Sequence, residues 1–308
     1  MTANEICVVH LVRHSNDLAA FQGFLDSYRR FPAGVPHDLL IVFKGFPSEE
    51  ASAPHEALLQ GVPYKQTRVL DFGYDVRPYV KVSREYAYRY FLFLNSFSQV
   101  RTPGWLEMFY RQVQRPGVGL VGATGSYQSI ASDYHTFKGD KPRTLPALKR
   151  AVLPLYRYIR YTFTIRRHFP TFPNYHIRTN AFMIARDTMV GLSTEIVLHK
   201  WNAYRFESSK EGMTHQIMSG GLQPIVVGAD GQGYEPPDWP HARTFWISRQ
   251  ENLVISDNQT RSYEEGSQAL RERLAFHAWR RYPDGRPRTD VPPLPEPART
   301  PVPSAARR

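Results

Sequence analysis

The first hundred residues alternate short, apolar, β-prone runs with longer stretches in which apolar residues recur at helical spacing, and that alternation limits the folds open to the chain. Residues 6–12 read as a buried strand. Leu18, Phe21, Phe24, Leu25 and Tyr28 then recur at three and four, with Asp17 placed to cap the helix they define. A strand over 39–43, a short helix over 54–59, a strand over 67–70, a helix over 78–88 and a strand over 90–94 follow. Strand and helix in strict alternation require an α/β fold with parallel strands and right-handed crossovers. In such sheets ligands bind beyond the carboxyl ends of the strands, so functional side chains are expected just after residues 10–13, after Leu70 and after Leu94. Beyond these come a helix from Trp105, a strand over 118–122, an interruption over 130–175, a strand over 177–185, a helix over 194–218, a strand over 224–227 and a helix over 262–280.

A chain of 308 residues suits one large domain, expected over 1–282, with 130–175 as a basic insertion and 283–308 as a tail. The single cysteine, Cys7, lies in an apolar run, so an intrachain disulfide is excluded and a reducing compartment is expected. No basic start followed by an apolar stretch opens the sequence, and no run approaches the ~18 apolar residues of a membrane span. The expectation is a cytoplasmic protein that does not cross a membrane. The net charge of +11 calls for a polyanionic partner. Eight basic residues and no acid lie between Lys141 and His168, where Leu145, Leu148, Val152, Leu155 and Ile159 form an apolar stripe that Pro154 should kink. That pattern fits an element lying on an anionic membrane from its inner face, or a helical hairpin packed on the domain with solvated arginines. Nucleic acid is not expected as a partner: no recognised motif is present, and the basic residues cluster in one insertion and one tail. Eight prolines in the 26 residues from 283 to 308 predict a disordered tail.

The run Leu70-Asp71-Phe72-Gly73-Tyr74-Asp75, then Tyr90-Phe91-Leu92-Phe93-Leu94-Asn95-Ser96 and Gly104-Trp105-Leu106, resembles the family 2 glycosyltransferases. Gly119-Leu120-Val121-Gly122-Ala123 and Arg178-Thr179-Asn180-Ala181-Phe182 continue the resemblance, which covers roughly residues 5 to 228. It implies a single Rossmann-like domain of the glycosyltransferase A type with a mostly parallel sheet. It also implies a nucleotide-sugar donor, a glycan or lipid-linked acceptor, and inverting transfer in surface polysaccharide assembly. The departure lies at the end of the fourth strand, where the family's Asp-x-Asp motif is replaced by Asn95-Ser96-Phe97-Ser98. Amide and hydroxyl oxygens are poor ligands for a divalent cation, so no metal is expected, although one is not excluded.

Without metal, cations must neutralise the leaving diphosphate, and the resemblance points to Arg13, Arg77 and Arg178, with His14 and Lys44 as further candidates. Asp71 and Asp75 either bind the base or ribose or shape a turn around Gly73. Asn95 and Ser96 either orient the donor or cap the following helix. Glu207 and Glu211 lie where the family supplies its general base, and they read either as that base or as a solvated charged face. Glu211 is favoured because it precedes Gly-Met-Thr-His as the family's acidic pair precedes its helix, although Gly212 stands in place of the second acid. Trp239, His241, Phe245 and Trp246, beyond the turn-rich loop Asp230–Tyr234, suit either a sugar face or the core, whereas Trp105, His199 and His215 read as structural. Asp257-Asn258-Gln259-Thr260 has no evident role. The missing acid pair keeps a second reading open, a non-catalytic glycan-binding or scaffold protein on the same fold.

Overall fold

The computed structural model describes residues 4–134, 158–194 and 200–287. Strand β1 (Ile6–Arg13) sets the architecture because alternate residues are apolar on both of its faces, and both faces are buried. It lies inside an eight-stranded sheet, third from one edge, and pairs in parallel with β2 (Asp38–Lys44) on one side and β4 (Tyr90–Leu94) on the other. β3 (Lys65–Val69) extends the sheet beyond β2, again in parallel. After the short β5 (Gln99–Val100) come β6 (Val118–Gly122), β7 (Gly125–Ser126), β8 (His176–Ile177) and β9 (Ala181–Ala185). β9 runs antiparallel between β4 and β6, and β10 (Gln223–Val227) runs parallel to β6 with β11 (Gly233–Tyr234) antiparallel at the edge. The order is β11-β10-β6-β9-β4-β1-β2-β3, a mixed α/β fold with a mostly parallel sheet.

Helices cover both faces. Ile6, Val8, Val12 and their partners on β2 and β4 pack under α1 (Leu18–Arg30), α2 (Glu49–Leu58) and α4 (Trp105–Val113), where Trp105 is fully buried. Cys7, Val9 and Leu11 pack on the opposite face under α3 (Val76–Glu85), with helices of the second half beside it. α1 is capped by Asp17, as its sequence predicts. α2 begins at Ser48 rather than near Pro54. The Ser48 cap and the acidic Glu49 and Glu50 in the first turn start it, and Pro54 gives up one backbone bond inside.

The long elements expected later in the chain are broken. Residues 177–185 divide into β8 and β9. After α5 (Ile130–Asp133) and α6 (Arg186–Gly191), the stretch expected to be one helix becomes α7 (Lys200–Ser208) and α8 (Met213–Ser219), residues 195–199 lying outside the described set. Gly212 makes the break: a Cβ there would meet the Arg205 and Phe206 carbonyls at 2.9 and 3.0 Å, so only glycine lets the chain fold back on α7. After the short α9 (Trp239–Ala242), the last expected helix is likewise two, α10 (Asn258–Glu264) and α11 (Gln268–Trp279), with Ser267 capping the second. β12 (Ile255–Ser256) pairs with β5 and ties this C-terminal region to the segment after β4. Trp239, Phe245 and Trp246 are buried in the core, whereas His241 is exposed. Of the basic insertion, Tyr161–Ile165 and Arg166–His168 are helical; the stripe from Leu145 to Leu155, Pro154, His199 and the tail beyond residue 287 lie outside the described residues. No helix among the described residues is long and apolar enough to cross a membrane.

His10 is the one polar residue on the α1 side of β1's core. Its ring stacks on Phe24 with centroids 3.7 Å apart, and neither ring nitrogen has a hydrogen-bond partner among the described residues. Burial lowers its pKa from 6.5 to about 3. The unfolded chain therefore takes up a proton here that the folded core refuses, so stability is complete above about pH 6.5 and declines as the pH falls toward 3. Urea unfolding should show the wild type losing about 2 kcal/mol more than His10→Phe between about pH 7.5 and about pH 5. Parallel curves for the two proteins would mean that the ring is solvated.

Candidate active site

The connections run from β1 outward through β2 to β3 and then return to β4 on the other side of β1, so the chain reverses direction between β1 and β4. Ligand crevices form at such a switch point, beyond the carboxyl ends of the strands. Arg13, at the end of β1, donates from Nε and Nη2 to the two carboxylate oxygens of Asp71 at 2.9 and 3.1 Å. This bidentate contact, led by the hydrogen bond from Arg13, lowers the Asp71 pKa. Lys44, at the end of β2, is only 1% exposed; its Nζ donates to the Tyr74 carbonyl at 2.6 Å and lies 3.6 Å from Asp71. Burial lowers its pKa. Gly45 permits this closeness, since a Cβ there would come within 2.5 Å of the Asp71 side chain. Tyr74 sits in the left-handed region at φ 49°, a conformation that costs a non-glycine residue energy and that Lys44 holds from below. Asp75 closes the group. Burial raises its pKa, Lys44 and Arg13 pull it down, and the charge of Glu207 pushes it up.

Glu207 stands opposite, at the end of α7, and accepts a hydrogen bond of 2.6 Å from the Thr179 hydroxyl. It also acts electrostatically on His176, whose pKa burial lowers. His176 donates from Nδ1 to the Asn174 carbonyl at 2.8 Å, which leaves Nε2 as the acceptor of the neutral ring. Asn180, just before β9, joins this wall to β4: its carbonyl accepts from the Asn95 amide at 2.9 Å, and its side-chain oxygen accepts from Thr124 at 2.8 Å. Its Nδ2 is buried without a partner among the described residues, as is the Tyr79 hydroxyl near Asp75. Buried polar groups are normally paired, so two orphans beside the paired strands β4 and β9 mark a place suited to a polar ligand.

Of the expected site residues, Arg13, Asp71, Asp75 and Glu207 come together, with Lys44 among them. Arg77 faces outward, its guanidinium 3.4 Å from the Phe72 ring centroid. Arg178 is buried and ion-paired to Asp257 at 2.9 Å, and it lies 4.2 Å from the centroid of Phe245. Asn95 forms a local turn, accepting from the Phe97 amide and the Ser98 hydroxyl at 3.0 Å each. It does not cap α4, whose N-cap is Gly104. Ser96 is buried beside it. Glu211 has a 61% exposed side chain facing Arg205 at 3.9 Å, and because α7 ends at Ser208 it shares no helix with Glu207. His215 bonds the Asn174 side chain at 2.9 Å.

Residues given no role from the sequence complete the arrangement. Asp257 and Thr260 form a capping box on α10, a signature readable in Asp-x-x-Thr, and the same aspartate anchors Arg178. Arg261 of α10 donates to the Phe97 carbonyl at 3.1 Å, which brings a further cation to the end of β4. His176 and Thr179 carried no sequence signal of their own. Among the described residues no group of three or more His, Cys, Asp or Glu side chains could hold a metal ion. The end of β4 offers an amide oxygen already used in a turn and a hydroxyl, which do not fit a divalent cation.

No family model and no curated protein matches the chain. Solved structures similar to it include a mannosyltransferase from Pyrobaculum calidifontis in complex with GDP-Man and Mn2+, at 11% identity and a TM-score of 0.44, covering 78% of this chain and 60% of that one. Core-mannan synthase A from Aspergillus fumigatus in its Mn/GDP form is similar at 11% identity and a TM-score of 0.35, over 71% of this chain and 66% of that one. A 4-diphosphocytidyl-2C-methyl-D-erythritol synthase from Anaerococcus prevotii is similar at 10% identity and a TM-score of 0.40, over 73% and 88%. The architecture described above stands on strand order and register alone.

Asp257 is fully buried, so Asp257→Ala strands the Arg178 charge and removes the α10 cap together. Calorimetric or urea unfolding should show a loss of about 3–5 kcal/mol. Asp257→Asn keeps the cap and should recover about 1 kcal/mol of that loss. Equal losses would assign the whole effect to the ion pair.

Proposed function

We propose that the protein is a glycosyltransferase that moves a sugar from a nucleotide-sugar donor to a glycan or lipid-linked acceptor, with inversion and without a bound metal. The observation that carries this reading is the cluster of Arg13, Lys44, Asp71 and Asp75 at the ends of β1 and β2, with Glu207, held by Thr179, near enough to act electrostatically on Asp75. In this reading Asp71 or Asp75 binds the base or ribose, and the cations at the ends of β1 and β2 meet the diphosphate. The acceptor hydroxyl oxygen attacks the anomeric carbon and its proton passes to the Glu207 carboxylate. The bond from that carbon to the diphosphate oxygen breaks, and the nucleoside diphosphate leaves with the electron pair. Glu207 is preferred over Glu211 because it interacts with Asp75 and His176, whereas Glu211 lies out toward solvent. Arg77, Asn95, Ser96 and Arg178 are proposed as outer donor contacts. Surface polysaccharide assembly on the cytoplasmic side of a membrane is the setting that the charge and the resemblance suggest.

One observation favours the non-catalytic reading. Arg13 is already neutralised by Asp71, and Arg178 by Asp257, so neither cation is free to meet a diphosphate unless its carboxylate moves.

Thermal unfolding with a panel of nucleotides and nucleotide sugars decides between them, because a ligand that binds only the folded state raises the midpoint. The transferase reading expects a rise with one nucleoside diphosphate and its sugar that persists in EDTA. It also expects Glu207→Gln to lower kcat by about 10²–10⁴-fold while donor binding persists. Donor binding without turnover in the unmodified protein would favour the scaffold. No binding of any nucleotide would end the transferase reading.

A further inference from the structure

Nine large apolar side chains are exposed among the described residues, and seven of them lie on three neighbouring elements beside the candidate site. Leu70, 73% exposed, Phe72 and Tyr74 belong to the loop that carries Asp71 and Asp75. Tyr204 lies on α7, the helix that carries Glu207. Tyr158 at 64%, Ile159 and Phe163 at 68% lie on the helical segment 158–168.

The three lie close together. Lys200 of α7 is within electrostatic range of Tyr74 and sits 5.4 Å from the centroid of Tyr204. Trp201, next along α7, packs against Phe169 at 5.1 Å between centroids and lies under the Arg160 guanidinium at 5.9 Å. The helical segment is thus anchored inward through Ile165, Phe169 and Trp201 while Ile159 and Phe163 point outward. Exposed apolar surface concentrated in this way signals a binding face rather than the scattered hydrophobic residues of an ordinary surface.

The charges around it select the partner. Between residues 158 and 168 the chain has Arg160, Arg166 and Arg167 and no acid. Arg166 and Arg167 are exposed, as is Lys200 on the neighbouring helix. Aromatic and aliphatic side chains interleaved with arginines match a bilayer interface, where apolar groups enter the acyl boundary and guanidinium groups meet anionic headgroups. We infer that this face docks on an anionic lipid surface and presents the crevice between Asp75 and Glu207 to a lipid-borne acceptor. The docking stands on the surface itself, whereas the nature of the acceptor rests on the transferase reading.

The test uses the full chain and vesicles made of equal parts phosphatidylglycerol and phosphatidylcholine, with pure phosphatidylcholine as reference. Sedimentation should bring the protein down with the anionic vesicles and much less with the neutral ones, and added salt should release it. Phe163→Glu changes an exposed side chain and should weaken vesicle binding about tenfold or more with an unchanged thermal midpoint. Arg166→Glu combined with Arg167→Glu should abolish the preference for anionic lipid. The inference is overturned if the wild type ignores anionic vesicles, or if these variants bind them equally well. It is also overturned if Phe163→Glu only dissociates a dimer of the chain, seen by analytical ultracentrifugation without lipid. Nucleotide titration of the same preparations separates the two readings: vesicle binding with no nucleotide binding removes the transferase reading and leaves the lipid-docking face in place.

Discussion

Burial of β1 on both faces is the constraint from which the rest of the molecule follows. A strand covered on both sides cannot let water reach the charges at its end from below, so each charge placed there must find compensation locally. Lys44 shows the result. Its ammonium is almost wholly withdrawn from solvent at the end of the neighbouring strand, and it is matched by Asp71, Asp75 and a backbone carbonyl rather than by water. The loop from Asp71 to Asp75 takes its shape, including the left-handed Tyr74, from the need to satisfy that cation and Arg13 together.

The second half of the chain answers the same constraint with different residues. Arg178 enters the core before β9, and the carboxylate that balances it comes from residue 257, after the whole second half of the sheet has been built. Asp257 also caps α10, which fixes the carboxylate against the helix that supplies Arg261 to the end of β4. The C-terminal region is therefore tied to the segments that follow β4 and precede β9 by the β12–β5 pairing and by an ion pair.

Much of this was legible in the sequence because the signals are local. The continuous apolar runs of β1, β2 and β4, the Asp17 cap and the strand–helix alternation all act over a few residues, and the sheet followed from them. Asp71, Asp75 and Glu207 were singled out as candidates because each lies where strand ends and a family pattern direct attention. The rest depends on distant contacts. Gly212 breaks a helix only because the Arg205 and Phe206 carbonyls crowd it. Nothing near His176 in the sequence announces that Glu207 lies beside it. The aromatics from Trp239 to Trp246 read equally well as a sugar platform, and only burial assigns Trp239, Phe245 and Trp246 to the core. Asp257-x-x-Thr260 was a helix start in plain form, obscured because the helical spacing seemed to begin later.

The position of β9 has a consequence for how the molecule assembles. The ribosome delivers β4 and then β6 before β9 exists, yet in the finished sheet β9 lies between them, antiparallel to both. Until residue 185 has been synthesised, the inner edges of β4 and β6 are unpaired and must be kept apart, a state that invites non-native pairing or association with other chains. Insertion of β9 also brings in Thr179 and Asn180, so the candidate site gains these residues in the same event that closes the facing edges of β4 and β6. A nascent chain stalled before that point would carry the charged cluster at the ends of β1 and β2 beside an open edge of β4, with β6 unpaired on both sides because β10 follows later still, which makes β9 the segment whose arrival joins the two halves of the sheet.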